Sequence, residues 1–337
     1  MTIAVTGANG FMGTHLTRAL ASAGHRVVAM VQPGTDPGPV HGVAAWVVQA
    51  DVTDRAAVAR AFQAAGEPVE AVCHLAAAVA DWGGARLFRE VNVLGTQGVL
   101  QAAAESGVRR FVLVSSLAVH AFRPVLGGDE GLAADASRPA YAVSKRAAEA
   151  LVRGFHRAGL VEGVVVRPGL VPFGPLDRAF SLRMVRALKA GPVPLTGGGR
   201  ARVSTAYVEN LCGGLTLALA HPDAAGRTFV MGDDGAPRFA DVVNAFAEAM
   251  GVRARIVPVP SAVARAAGTC VESAFRLLSP RREPPVTRYR GRLLAQDFHF
   301  ASDLAKTTLG YSPGVDLAEA ARRTVAWALA QTSSRYA

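Results

Sequence analysis

The sequence predicts an α/β protein: a doubly wound parallel sheet followed by a smaller C-terminal α/β lobe. Three observations carry this. A glycine-rich turn joins the first apolar strand to the first helical pattern. Short, wholly apolar runs then alternate with helical spacing through the first half of the chain, as strands buried on both faces and their crossover helices do. Beyond Pro168 the alternation gives way to short segments punctuated by proline and glycine, as in Pro172-Phe173-Gly174-Pro175 and Gly191-Pro192-Val193-Pro194.

Thr2 to Thr6 is a short apolar strand, and Gly7-Ala8-Asn9-Gly10-Phe11-Met12-Gly13 opens a helix with apolar positions at Leu16, Ala19, Leu20 and Ala23. Glycine permits the tight turn and lets backbone N–H groups at the helix N-terminus approach a pyrophosphate. The spacing is G-x-x-G-x-x-G, not the commoner G-x-G-x-x-G, and its strand–turn–helix context makes it a Rossmann-type nucleotide signal. Gly7, Asn9, Gly10, Phe11, Met12 and Gly13 are therefore candidate cofactor contacts. A second strand, Arg26 to Val31, ends at Gln32-Pro33-Gly34. A third, Val43 to Val48, leads to Asp51-Val52. There a carboxylate can either reach an adenine amino group or cap the helix that the spacing predicts over 54–65. Further strands are expected over Ala71 to Leu75, Phe111 to Val114 and Gly163 to Val166, with helical spacing over 92–106. The expected organisation is a nucleotide-binding domain over 1–168 and mainly a substrate lobe over 169–330, some of it returning to the first sheet. A frayed tail is expected over 331–337.

At 337 residues, half of them hydrophobic, the chain can bury a large core. No charge-free apolar stretch reaches the roughly eighteen residues of a membrane span. No charged leader with a cleavage site precedes the first strand, so a cytoplasmic protein is expected. Cys73, Cys212 and Cys270 are odd in number and lack metal-ligand spacing; they read as small core residues in a reducing compartment, and no metal is expected. The net charge of +10 raises the question of nucleic acid, but the arginines are dispersed, aromatics are only 7% and no recognition motif appears. Nucleic-acid binding is not expected. Monomer and homodimer both remain open. Pro260 to Pro280, punctuated by Arg265, Glu272 and Arg276, reads as a packed amphipathic helix, a lid or a peripheral membrane contact. Arg276, Arg281, Arg282, Arg288, Arg290 and Arg292 form a cluster that is either solvated or able to meet an anionic substrate group.

The chemistry centres on Tyr141 and Lys145. Only three lysines stand against 33 arginines in this chain, so a lysine four residues after a tyrosine suggests work that arginine cannot do. On a helix, i and i+4 share a face, which sets the ammonium beside the phenol. A free phenol has a pKa of about 10, and a neighbouring cation favours its phenolate. Such a tyrosine can exchange a proton with a substrate oxygen. The alternative is a surface helix pair.

Together these residues resemble the extended short-chain dehydrogenase/reductase superfamily. The matching pieces are Thr6-Gly7-x-x-Gly10-x-x-Gly13, Asp51-Val52, His74-Leu75-Ala76-Ala77, Val91-Asn92-x-x-Gly95-Thr96, Val114-Ser115-Ser116, Tyr141-x-x-x-Lys145 and Arg167-Pro168-Gly169. The resemblance implies hydride transfer on a nicotinamide cofactor, with Ser116, Tyr141 and Lys145 as the proton-relay set and Ser115 as the neighbour to watch. It implies that Asn92 steadies the cofactor region, in a structural or a catalytic role. Further cofactor contacts are implied at Gln32, Asp51, Val52, Leu75, Ala76, Ala77 and Pro168, besides Tyr141 and Lys145. Sugar dehydratases place an Asp-Glu pair after the catalytic hydroxyl, whereas Leu117-Ala118 stand here; nucleotide-sugar enzymes commonly have an asparagine where Leu170 stands. Both departures point to an apolar ketone or alcohol substrate. Ala80-Asp81-Trp82-Gly83, Pro284 to Tyr289, Leu309 to Pro313 and Arg323 to Trp327 resemble the 3β-hydroxysteroid dehydrogenase and 2-alkyl-3-oxoalkanoate reductase branch. Gln32, where an acid would favour NAD, leans the expectation to NADP, with NAD the alternative. A nucleotide-sugar 4-epimerase holding NAD is the alternative function.

Overall fold

A computed structural model describes residues 1–79, 84–120, 123–132, 139–278 and 295–333. Its strands are β1 (Thr2–Thr6), β2 (Arg26–Val31), β3 (Trp46–Gln49), β4 (Ala71–His74), β5 (Arg110–Val114), β6 (Val125–Gly128) and β7 (Glu162–Pro168). They continue with β8 (Val171–Phe173), β9 (Val193–Thr196), β10 (Thr205–Tyr207), β11 (Thr228–Met231), β12 (Ile256–Val259) and β13 (Phe298–Phe300). Seven of these form one parallel sheet in the order β11-β7-β5-β4-β1-β2-β3. The remaining six pair as β8–β10, β9–β12 and β6–β13. The chain runs outward from β1 to β3, then restarts at β4 on the other side of β1. That reversal leaves a crevice at the carboxyl ends of β1 and β4, where open sheets bind ligands.

Alternation along each strand divides the core in two. Ile3 and Val5 face one layer and Ala4 the other, all three fully buried. In the first layer α1 (Phe11–Ser22) packs on α7 (Val208–Ala220); in the second lie α2 (Arg55–Gln63), α4 (Thr96–Glu105) and α5 (Ala140–Arg157). Each fully buried Val, Leu or Ile contributes about 1.5–3 kcal/mol of transfer free energy, so both faces of the sheet help to hold it. The other helices include α3 (Ala85–Phe88), α6 (Ser181–Ala190), α8 (Phe239–Ala249), α9 (Ser261–Leu278), one over Asp303–Leu309 and one over Leu317–Ser333.

Several expectations shift. β3 starts at Trp46, not Val43, because a 3-10 turn at Gly38–Val40 and the positive φ of Gly42 occupy the preceding residues. The helix expected from 92 begins at Ala85 and passes through a π turn, Arg89–Gly95, before α4. β11, from beyond residue 168, completes the sheet edge by pairing with β7. The C-terminal helix runs to Ser333, past the expected start of the tail. Cys73 and Cys212 are buried, but Cys270 is exposed, since α9 turns that face outward. Among the described residues no helix is long and apolar enough to cross a membrane, and no cluster of His, Cys, Asp or Glu could hold a metal.

Candidate active site

The glycine turn lies in the crevice, and the space around it explains its composition. Gly7 has φ +66°, and a Cβ there would lie 3.1 Å from the backbone of Ala76. A Cβ on Gly13 would lie 2.1 Å from the Gly7 carbonyl oxygen and 2.8 Å from the Ala8 Cα. Gly10 N–H closes the turn on the Gly7 carbonyl at 3.0 Å. Gly10 occupies the N-cap of α1 and offers no side-chain cap, so the first N–H groups of a twelve-residue helix face the crevice. That cradle, whose backbone leaves no room for a Cβ at Gly13 and little at Gly7, fits a dinucleotide pyrophosphate. Beside it, Asn9 Nδ2 donates to Thr35 Oγ1 at 2.8 Å and to the Asp36 carbonyl at 3.0 Å. Thr35 in turn donates through N and Oγ1 to the Gln32 carbonyl. With Gly34 at φ +78°, Gln32-Pro33-Gly34-Thr35 is a tight turn that leaves Gln32 exposed at the end of β2.

Asp51 accepts from both Thr53 N and Thr53 Oγ1 at 2.8 Å, so one of its oxygens shapes the turn into α2. The N-cap itself is Asp54, which accepts from Ala57 N. Val52 packs against Gly95, where a Cβ would meet it at 3.1 Å. Leu75, Ala76 and Ala77, half-buried after β4, form the crevice floor below Gly7, and Pro168 ends β7.

Across the crevice, α5 carries Tyr141 and Lys145 one turn apart. Tyr141 is half-buried, its ring edge-on to that of Phe88 at 6.0 Å between centroids. Lys145 is 4% exposed and donates to the Val114 carbonyl at 2.9 Å. Burial lowers its pKa to about 8, opposed by the negative charge of Glu149 one turn on. A buried ammonium here is a charge held in place, not a solvated helix pair. α5 also packs on the 3-10 turn Leu117–Val119 that follows Ser116. Ser116 is half-buried and accepts from Ala118 N at 3.1 Å, with its hydroxyl proton left to donate. Ser115 is the buried neighbour, and its hydroxyl is committed to Glu149 at 2.7 Å.

Glu149 is the hub beneath these residues. It takes two bonds from Arg167, at 2.8 and 2.7 Å, besides those from Ser115 and Arg153. Burial alone would raise its pKa, but the Arg167 guanidinium and the two other donors outweigh that and hold it below the ordinary range. Arg167 also reaches His120 Nε2 and the Glu130 carbonyl. The hub thus joins the end of β5, the middle of α5, the end of β7 and the loop after Ser116. Its signal in the sequence was the i+4 spacing of Glu149 from Lys145.

Next to Ser116, Leu117, Val125, Val230, Phe298 and Phe300 form a buried apolar cluster, with Leu132 and Leu170 packed against it. Pairing of β6 with β13 brings Phe298 and Phe300 there from far along the chain. Asn92 is buried at 1% exposure in the π turn; its side chain holds both Ala78 N and Ala78 O and donates to Ser144 Oγ at 2.9 Å. α9 is one continuous helix with Glu272 buried and Val263 exposed. Ala80 to Gly83, Pro284 to Tyr289, and Arg281, Arg282, Arg288, Arg290 and Arg292 lie outside the described residues, as does the side chain of Arg276.

The chain is similar to known proteins along nearly all of its length. The model of the NAD dependent epimerase/dehydratase family matches residues 3–232. A 2-alkyl-3-oxoalkanoate reductase of Stenotrophomonas maltophilia (strain K279a) is 32% identical, over 96% of this chain and 98% of its own. A 4-hydroxy-2-methyl-3-oxo-4-farnesyl-3,4-dihydroquinoline-1-oxide ketoreductase of Stigmatella aurantiaca is 30% identical over 91% of each chain. A UDP-glucose 4-epimerase of Thermus thermophilus, solved with NAD, shares the fold with a TM-score of 0.72 at 23% identity, over 98% of this chain and 99% of that one. The family match covers well over half of the sequence and the relatives align along nearly all of it: the chain belongs to the NAD dependent epimerase/dehydratase family and takes a nicotinamide cofactor.

Proposed function

We propose that this oxidoreductase interconverts a ketone and a secondary alcohol on an apolar substrate of steroid-like, polyketide-like or long-chain 3-oxo acid type, with NADP the preferred cofactor. The observation that carries the reading is the buried Lys145 one turn from Tyr141, on a helix packed against the loop of Ser116. When bound, the nicotinamide ring supplies or accepts the hydride. Tyr141 gives its phenolic proton to the substrate oxygen during reduction and takes it back during oxidation. Ser116 donates a hydrogen bond to the same oxygen, stabilising the charge that develops there. Lys145 holds positive charge beside the phenol and favours its ionised form. The glycine cradle and the floor at Leu75, Ala76 and Ala77 bind and orient the cofactor, with Asp51 and Val52 flanking the crevice.

The apolar cluster beside Ser116 and the two reductase relatives support an apolar substrate. An exposed Gln32 in place of an acid supports NADP, because no carboxylate there repels a ribose phosphate. The nucleotide-binding unit is 1–168 completed by β11, and 169–330 supplies the substrate side.

The test is a panel of ketones with NADPH or NADH, followed by loss of reduced-nicotinamide absorbance, with the bound nucleotide identified by mass spectrometry. Turnover of apolar ketones with exchangeable NADPH is expected. Tightly retained NAD, with 4-epimerisation of a nucleotide sugar and no ketone reduction, would overturn the reading.

A further inference from the structure

A run of buried hydrogen bonds leads from the crevice floor to the helix of Tyr141, and donor–acceptor bookkeeping sets the direction of each. Thr6 Oγ1, fully buried at the end of β1, accepts from Leu75 N and Ala76 N, both at 3.1 Å. Its two lone pairs are thereby used, so its own proton goes to His74 Nδ1 at 2.8 Å. His74 Nδ1 is then an acceptor, and the ring proton sits on Nε2, which donates to Thr96 Oγ1 at 3.1 Å. Thr96 passes its hydroxyl proton to the Asn92 carbonyl at 2.7 Å. The Asn92 side chain donates to Ser144 Oγ, and Ser144 donates to the Tyr141 carbonyl at 2.7 Å. Each link has one direction, and a second proton on the ring would leave Thr6 without an acceptor.

We propose that His74 is a positioning residue: as the neutral Nε2–H tautomer it ties the cofactor floor at Leu75 and Ala76, through Thr6 and Thr96, to the π turn of Asn92 and so to Tyr141. The π turn gives this tie a purpose. Such a turn is a rare interruption of a helix, often at functional sites. Thr96 holds the Asn92 carbonyl inside it, while the Ala78 peptide holds the Asn92 side chain. The groups facing the ring are Thr6 from β1, Thr96 at the start of α4, Phe111 from β5 at 5.8 Å and the charge of Lys145 from α5. Burial, with that lysine charge second, lowers the His74 pKa to about 3, consistent with a ring that stays neutral.

For its effect on turnover the proposal rests on the role given to Tyr141; for the bonding it does not. Ring-nitrogen NMR of the full-length protein, without cofactor, reads the tautomer directly. The expected spectrum has an unprotonated Nδ1 and a protonated Nε2, unchanged down to about pH 5. A proton on Nδ1, or titration near the ordinary value of about 6.5, would overturn it. In parallel, His74→Phe removes both ring nitrogens, and about a tenfold loss of kcat is expected, the scale of one or two misplaced hydrogen bonds. His74→Gln retains a donor and an acceptor and should recover to within about threefold of wild type. Wild-type kcat in folded His74→Phe would also sink the proposal. A failure of the Tyr141 reading looks different: Tyr141→Phe would keep its rate while the His74 tautomer stayed as described.

Discussion

Replacing Gly13 by alanine is the sharpest test of the phosphate cradle. The added Cβ would lie 2.1 Å from the Gly7 carbonyl oxygen, about 1.3 Å short of an ordinary contact, and 2.8 Å from the Ala8 Cα. The three nearest atoms it meets are all backbone, so swinging a side chain aside cannot relieve the clash. Either the turn opens or the start of α1 backs away, and in both cases the N–H groups aimed at the pyrophosphate separate. Overpacking of this kind costs about 1–3 kcal/mol. If that cost falls on the binding-competent loop, NADP affinity drops by about 5- to 150-fold, since about 1.4 kcal/mol is tenfold. Gly10→Ala is a graded comparison, because its Cβ meets only the Gly7 oxygen at 3.1 Å and should cost much less. Gly154→Ala, inside α5 with nothing within 4 Å, should stabilise the fold by about 0.5–1 kcal/mol and leave affinity alone. Fluorescence titration with NADPH, alongside thermal denaturation, separates binding from folding. Gly13→Ala binding within about twofold of wild type would refute the reasoning, for the clash would then have been absorbed without moving the cradle.

The other perturbations act on the catalytic side. Tyr141→Phe should retain fold and cofactor affinity yet lose about 10²–10⁴-fold in kcat on a verified ketone; a rate within about threefold of wild type would exclude Tyr141 as the proton donor. Because burial lowers Lys145 to about 8, its proton leaves as pH rises through that value. Reductive kcat/KM should therefore decline above it, whereas Lys145→Met should be slow at all pH values and lack that limb. Glu149→Gln leaves the buried Arg167 guanidinium unpaired and should cost about 3–5 kcal/mol in urea denaturation, with the double replacement of Glu149 and Arg167 by leucine recovering much of it. A loss below about 1 kcal/mol would show that the hub is solvated. Gln32→Arg should sharpen NADP preference and Gln32→Asp reverse it, read from Kd values for both cofactors; unchanged ratios would place the choice elsewhere.

What the sequence determined by itself is the part of the molecule written in local patterns. The strand Thr2–Thr6, the glycine turn and α1 were legible because a tight turn, a close approach and an amphipathic period are all short-range demands. The pairing of Tyr141 with Lys145 was legible for the same reason, as one turn of one helix. Leu117 and Leu170, apolar where the resemblance would put polar residues in sugar enzymes, come together in one buried cluster. Tertiary structure alone decided which buried polar group meets which. That Ser115 is spent on Glu149 while Ser116 keeps its proton depends on a helix and a strand end meeting across the sheet. The apolar cluster at Phe298 and Phe300 exists only because β13 returns to β6. The π turn of Asn92, hidden within an ordinary helical spacing, is held by Thr96 and the Ala78 peptide, and behind Thr96 stands a histidine from β4. Hydrogen bonds over such separations leave no period in a sequence; burial makes them obligatory only once the layers have closed.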